Sequence, residues 1–118
     1  MDKLDDMLAC QKELQLRLAY PKIKCRADKQ QYINQMILAL HEEAVEIMRE
    51  TAYKNPEYVK FGWKKGQSMD NEKFKEEIVD LWHFVMNLIL ISGMDGDDFY
   101  GRYKAKHAEN HKRQDKGY

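Results

Sequence analysis

Apolar residues recur along this chain at three- and four-residue intervals, and no stretch reads convincingly as a strand. The first helical stretch runs from about Lys3 to Ala19 and ends ahead of Pro21. Its inner stripe is Leu4, Leu8, Gln11, Gln15 and Leu18, so two glutamines stand where leucines are expected. After a loop over 21–29, a second stretch from about Gln30 to Tyr53 packs through Ile33, Met36, Ile37, Leu40, Ala44 and Ile47, and stops before Asn55-Pro56. An irregular connection over 55–70 holds Trp63 between Gly62 and Gly66. The third stretch, about Asn71 to Ser92, begins amphipathic and becomes apolar nearly all round, the mark of a buried bundle centre. Gly93 suits its C-cap, and Asp95 with Asp98 suits the N-cap of a fourth helix. The expected class is all-α, a bundle of four to five helices.

At 118 residues the chain is expected to form one domain over 1–118, with a single modest core. Twenty basic and twenty acidic residues cancel, which argues against a generic nucleic-acid or membrane-surface binder. The longest apolar run, Phe84 to Met94, is too short to span a bilayer and is broken by Asn87. No signal peptide is read. Cys10 and Cys25 have no metal-ligand or redox spacing, so reduced thiols in a cytoplasmic protein are expected. The charge is nevertheless uneven. Basic residues predominate from Arg102 to Tyr118, while acids cluster in the middle of the chain.

Those acids face the core. At 100° per residue, Glu43, Glu46 and Glu50 fall within about 60° of one another beside the apolar stripe of the second helix. On the third helix, Glu77 and Asp80 share a side with Phe84 and Asn87. Carboxylates in such pairs either solvate helix surfaces or share a cation that offsets their repulsion and lost hydration. An all-oxygen set suits Mg²⁺ or Mn²⁺ rather than zinc. A di-iron centre is disfavoured. It needs Glu-x-x-His twice, Glu43-x-x-Glu46 has no histidine, and His83 projects about 60° from Asp80.

Gln11, Gln15 and Asn87 would each bury an amide, at a cost of about 1–3 kcal/mol if unpaired. Hydrogen bonds between helices would satisfy them. A carboxamide also offers the donor and acceptor that a nucleobase edge requires, and Trp63 could cover a base or simply cap a core. On the fourth helix, Phe99, Tyr103, Lys106, Asn110 and Arg113 form one stripe, apolar at its start and cationic or amide at its end. Such a face is suited to a polyphosphate, and equally describes a solvated basic terminus.

Glu43-x-x-Glu46 with Glu77-x-x-Asp80 resembles the metal signature of the all-α NTP pyrophosphatase superfamily, which includes the MazG proteins and dimeric dUTPases. Residues 77–87, E-I-V-D-L-W-H-F-V-M-N, with K-x-x-x-N-x-x-R-Q-x-x-G-Y over 106–118, resemble the dimeric dUTPases more narrowly, and the tailed-phage dCTP/dUTP pyrophosphatases most. The opening over 7–18 is similar to theirs too, so the resemblance covers nearly the whole chain. It implies Mg²⁺ ligation by Glu43, Glu46, Glu77 and Asp80; of these, Glu46 is the one expected here to orient the attacking water as base. It further implies phosphate binding by Lys106, Asn110 and Arg113, base reading by Gln11, and a nucleoside pocket lined by Asn87. The implied reaction converts a pyrimidine dNTP to its monophosphate and pyrophosphate, in a homodimer or higher homo-oligomer.

Three departures keep the specificity open. His107 stands where these families usually have Asn, Gln15 where dUTPases usually have Asn and the dCTP-handling phage enzymes have Gln, and the chain is shorter than most relatives. A MazG-like enzyme of other base preference is the alternative within the class. A non-catalytic helical module with a basic C-terminus is the alternative outside it. That module explains the charge asymmetry but not the inward carboxylates or amides.

Overall fold

A computed structural model describes residues 2–55, 57 and 67–117. Four helices account for most of them: α1 (Lys3–Leu18), α2 (Arg26–Arg49), α3 (Asn71–Ile91) and α4 (Gly96–Asp115). Among the described residues there is no strand, so the class is all-α, as expected from the three- and four-residue spacing.

The chain divides into two compact units. One comprises 1–22 with 87–118, and the other comprises 23–86. The N-terminal part of α3 therefore belongs to the second unit and its C-terminal end to the first.

In the first unit, Asp2 caps α1 by accepting the Asp5 backbone N–H at 2.8 Å. Ala19 closes the helix in a left-handed conformation at φ 52°, and Pro21 prevents resumption. Leu8 and Gln11 are buried along α1, whereas Leu18 at the end of the expected inner stripe is 65% exposed. The end of α3 is marked by Gly93 at φ 85°, where a side chain would be strained. Next, Asp95 and Asp98 form a reciprocal capping box. The Asp95 side chain accepts from Asp98 N–H at 2.8 Å, and the Asp98 carboxylate accepts from Asp95 N–H at 3.5 Å. Two orphan donors of α4 are thereby satisfied.

In the second unit, α2 begins one turn earlier than its apolar pattern suggests. Arg26, Ala27 and Asp28 carry no apolar signal but also no helix breaker, and Asp28 sits in the first turn, where its charge favours the helix dipole. The Asp28 carboxylate also accepts the Lys24 backbone N–H at 2.9 Å, fixing the entry to the helix. Tyr32 and Met36 are the buried positions of α2; Ile37 and Ala44 of the expected stripe are exposed. Past the C-terminus of α2, the Gln67 side-chain amide donates to the carbonyls of Arg49 and Thr51. Asp70 N–H donates to Glu50 O at 2.9 Å, and the Asp70 carboxylate accepts Lys73 N–H at 3.1 Å at the start of α3. These bonds tie the end of α2 to the beginning of α3, the two helices that carry the carboxylates. No single helix among the described residues is long and apolar enough to cross a membrane.

Candidate active site

Glu43 and Glu46 lie one turn apart on α2, and Glu77 and Asp80 lie one turn apart on α3. Folding of the second unit brings three of them together. Oxygens of Glu43, Glu77 and Asp80 lie within 4.8 Å of one another, with Glu43 and Glu77 partly buried and Asp80 exposed. The electrostatic consequence is direct. Burial pushes the Glu43 carboxyl above the ordinary carboxylate range, the charges of Asp80 and Glu46 push it further, and a hydrogen bond with Glu77 partly offsets the rise. Burial likewise raises Glu77, followed by the charges of Asp80, Glu43, Glu46 and Glu50. Both carboxylates are therefore held in surroundings that disfavour their charge.

One further observation bears on what the cluster could hold. Glu43 Oε2 is buried and has no hydrogen-bond partner among the described residues. A buried carboxylate oxygen without a donor is costly as it stands. A hard divalent cation would satisfy it, and an all-oxygen donor set matches the ligand preference of Mg²⁺ and Mn²⁺. The residues present thus fit such an ion.

Glu46 stands somewhat apart from the three. Its charge is felt by both Glu43 and Glu77, yet its Oε1 faces the Arg49 guanidinium at 3.4 Å. Arg49 was passed over in the sequence, where the i, i+3 spacing from Glu46 was its only signal. His83 makes a contact within its own helix, with Nδ1 at 2.8 Å from Val79 O, and is not among the converging ligands.

The three amides meet in the first unit. Gln11 Nε2 donates to Asn87 Oδ1 at 2.7 Å, and Gln15 Nε2 donates to the same oxygen at 2.9 Å. Gln11 and Asn87 are buried, and Gln15 is half-buried. The shared acceptor fixes which way the glutamine amides point, giving an ordered polar patch in place of three separately solvated groups. Beside it, Lys12, Gln15, Leu16, Tyr20 and Lys22 line an open, largely apolar cavity of about 460 Å³.

On α4, Lys106, Asn110 and Arg113 are all exposed. Both cations are drawn to Glu109, with Arg113 Nη2 donating to Glu109 Oε1 at 2.8 Å and Lys106 Nζ standing 3.7 Å from Glu109 Oε2. Exposed pairs of this kind contribute only about 0.2–1 kcal/mol, so an anion could displace them. Glu109 was not singled out in the sequence, although its spacing of three from Lys106 and four from Arg113 predicts both contacts. Trp63, the remaining candidate for the base, lies outside the described residues.

Comparison with known proteins bears out the family resemblance read from the sequence. A family model described as dUTPase matches residues 3–95. A dCTP pyrophosphatase of Enterobacteria phage LZ5 is 29% identical over 144 aligned positions, covering 100% of this chain and 84% of the relative. A dCTP pyrophosphatase of Enterobacteria phage T4 is 39% identical over 49 positions, covering 42% of this chain and 29% of the relative. No solved structure matches.

Proposed function

The chain belongs to the dUTPase family, and from that premise we propose that it hydrolyses dCTP and dUTP to the monophosphate and pyrophosphate with the help of Mg²⁺ or Mn²⁺. The observation that carries this reading is the convergence of Glu43, Glu77 and Asp80 within 4.8 Å. Similarity to two phage dCTP pyrophosphatases supports the choice of a pyrimidine triphosphate.

Glu43, Glu77 and Asp80 would hold the ion, with Glu46 as the adjoining carboxylate on α2. When bound, the ion supplies positive charge to phosphate oxygens and makes a nearby water more acidic. Glu46 orients the attacking water and accepts its proton, with the Arg49 guanidinium 3.4 Å away limiting the rotamers of that carboxylate. A bond forms from the water oxygen to one of the two phosphorus atoms flanking the α–β bridge. The bond from that phosphorus to the bridging oxygen breaks, and its electron pair leaves with the departing phosphate. Lys106, Asn110 and Arg113 hold phosphate oxygens, and the two cations offset charge on the leaving group. For Lys106 and Arg113 this means exchanging the Glu109 carboxylate for phosphate. Direct displacement by water needs no protein nucleophile.

Gln11, Gln15 and Asn87 form the base-reading group in this proposal, because their amides present donors and acceptors in a fixed arrangement. Trp63 remains the candidate for stacking on the base. The same reading makes the enzyme a cytoplasmic homodimer or higher homo-oligomer.

The test is pyrophosphate release from a panel of dATP, dCTP, dGTP, dTTP and dUTP, with Mg²⁺ and with chelator. Mg²⁺-dependent pyrophosphate from dCTP and dUTP, with the matching monophosphates, is the expected result. Release of orthophosphate instead, or no release from any of the five, would overturn the proposal.

A further inference from the structure

The exposed side of α4 carries a second group of potential ligands that the reaction does not use. His107 and His111 lie one turn apart, and both side chains are exposed. Their ring centroids are 4.6 Å apart with the planes at 80°, edge to face. Tyr103, one turn earlier, stacks on His107 with centroids 6.0 Å apart and planes inclined by 23°. Three rings thus follow one another along a single side of the helix. Among the described residues, neither imidazole is engaged in a hydrogen bond or an ion pair. At 100° per residue, His107 and His111 lie about 100° and 140° round the helix from Lys106. His107 lies only about 60° from Asn110, so the pair borders the stripe that carries Lys106, Asn110 and Arg113, with His111 turned furthest from it.

We propose that His107 and His111 together bind a divalent transition-metal ion such as Ni²⁺ or Zn²⁺, at a site separate from the carboxylate cluster on α2 and α3. Imidazole nitrogens are borderline ligands that favour Ni²⁺, Cu²⁺ and Zn²⁺, whereas carboxylate oxygens suit Mg²⁺ and Mn²⁺. The two sites consequently select different ions. Spacing at i, i+4 sets the two Cβ atoms about 5–6 Å apart, which lets one ion reach a nitrogen of each ring. The structure already holds the rings side by side. Chelation asks only for side-chain rotation at an exposed surface, at the loss of the edge-to-face contact between them. Water fills the remaining coordination positions.

Chelation across one turn also has a structural effect. The bound ion links two turns near the C-terminal end of α4, where helices ordinarily fray. It stabilises that end by binding the helical conformation in preference to the open one.

The site rests on α4 alone, so its test stands whatever the chain hydrolyses. Calorimetric titration of the full chain with Ni²⁺, in saturating Mg²⁺ to occupy hard oxygen sites, reads the affinity. The wild-type chain should show a saturable site at one ion per chain. Substitution H111A, and separately H107A, should weaken it by at least the roughly 10-fold that losses in a metal's outer shell already cause. Substitutions H41A and H83A should leave it unchanged. Amide exchange of residues 107–115 should slow on adding Ni²⁺ to wild type but not to H111A. Equal Ni²⁺ affinity in wild type and H111A, or a wild type without saturable binding, would overturn the proposal.

Discussion

Glu43 and Glu77 carry the clearest consequence of folding at the level of single residues. Both are held above the ordinary carboxylate range, chiefly by burial and then by their acidic neighbours. A carboxyl raised in the folded chain binds more protons there than in the unfolded chain. Its effect on stability is neutral below the unfolded pKa and becomes unfavourable as pH rises through the folded one. In chelator, thermal unfolding of the wild type should therefore shift downward as pH is raised from about 4 towards neutrality. Glu77→Gln removes one contributor, so its midpoint should fall less over the same range. An identical pH dependence in the two proteins would show that Glu77 titrates as it does in the unfolded chain. Asp80→Ala should separate folding from function. It removes a charge that opposes Glu43 and Glu77, leaving helicity by circular dichroism intact, while pyrophosphate release should drop by roughly 100-fold or more. The partial burial of Glu43 and Glu77 was legible in the sequence because helical spacing alone places them beside an apolar stripe, whereas Asp80, expected on the same side as Glu77, is exposed. The Glu46–Arg49 contact and the Glu109 bridge to both cations were not singled out. Local i, i+3 and i, i+4 ion pairs are too frequent on helices to stand out in a sequence.

At the scale of elements, the helix ends follow from residues that satisfy backbone groups, and their contributions can be measured. Asp95→Ala removes one half of the capping box of α4 and should cost about 1 kcal/mol in urea unfolding, with the slope of the transition unchanged. A loss below a few tenths would mean that water replaces the cap. On the same helix, Arg113→Ala should weaken binding of a non-hydrolysable dCTP analogue by roughly 10-fold, the effect of removing a charged hydrogen bond to phosphate. Unchanged affinity by calorimetry would return the end of α4 to the role of a solvated basic terminus. The end of α1, the start of α4 and the break between α3 and α4 were legible because Pro21, Asp95 and Gly93 have strong backbone preferences; the Asp2 cap of α1 was not singled out. The start of α2 at Arg26 was not, since a polar first turn leaves no apolar periodicity to read.

For the molecule as a whole, apolar surface is the outstanding quantity. Among the described residues the buried apolar side chains are Leu8, Tyr32, Met36, Met86 and Ile89, while Leu16, Leu38 and Val79 are each more than half exposed. Tyr100 and Tyr103 on α4 are also more than half exposed. Apolar side chains in this number favour association of chains. Sedimentation at micromolar concentration should accordingly give a species at twice the 14.1 kDa of the chain, or larger. A single species at 14.1 kDa would show that the chain remains monomeric with these side chains in water.

The helical class, the four helices among the described residues and the carboxylate pairs on the second and third of them were legible in the sequence alone. Each depends on spacing within one helix, or on a residue with a strong backbone preference at a helix end. The resemblance to the dimeric dUTPases was likewise present in the residues, notably over 77–87 and 106–118. Tertiary structure decided which members of those sets meet. Glu43 joins Glu77 and Asp80 while Glu46 faces Arg49, because side-chain convergence depends on how α2 and α3 approach and on the rotamers their packing permits. It also decided that Gln11 and Gln15 share the single oxygen of Asn87, residues more than seventy positions away in sequence. Periodicity identifies the face of a helix on which a residue lies, but only packing supplies the atom opposite it.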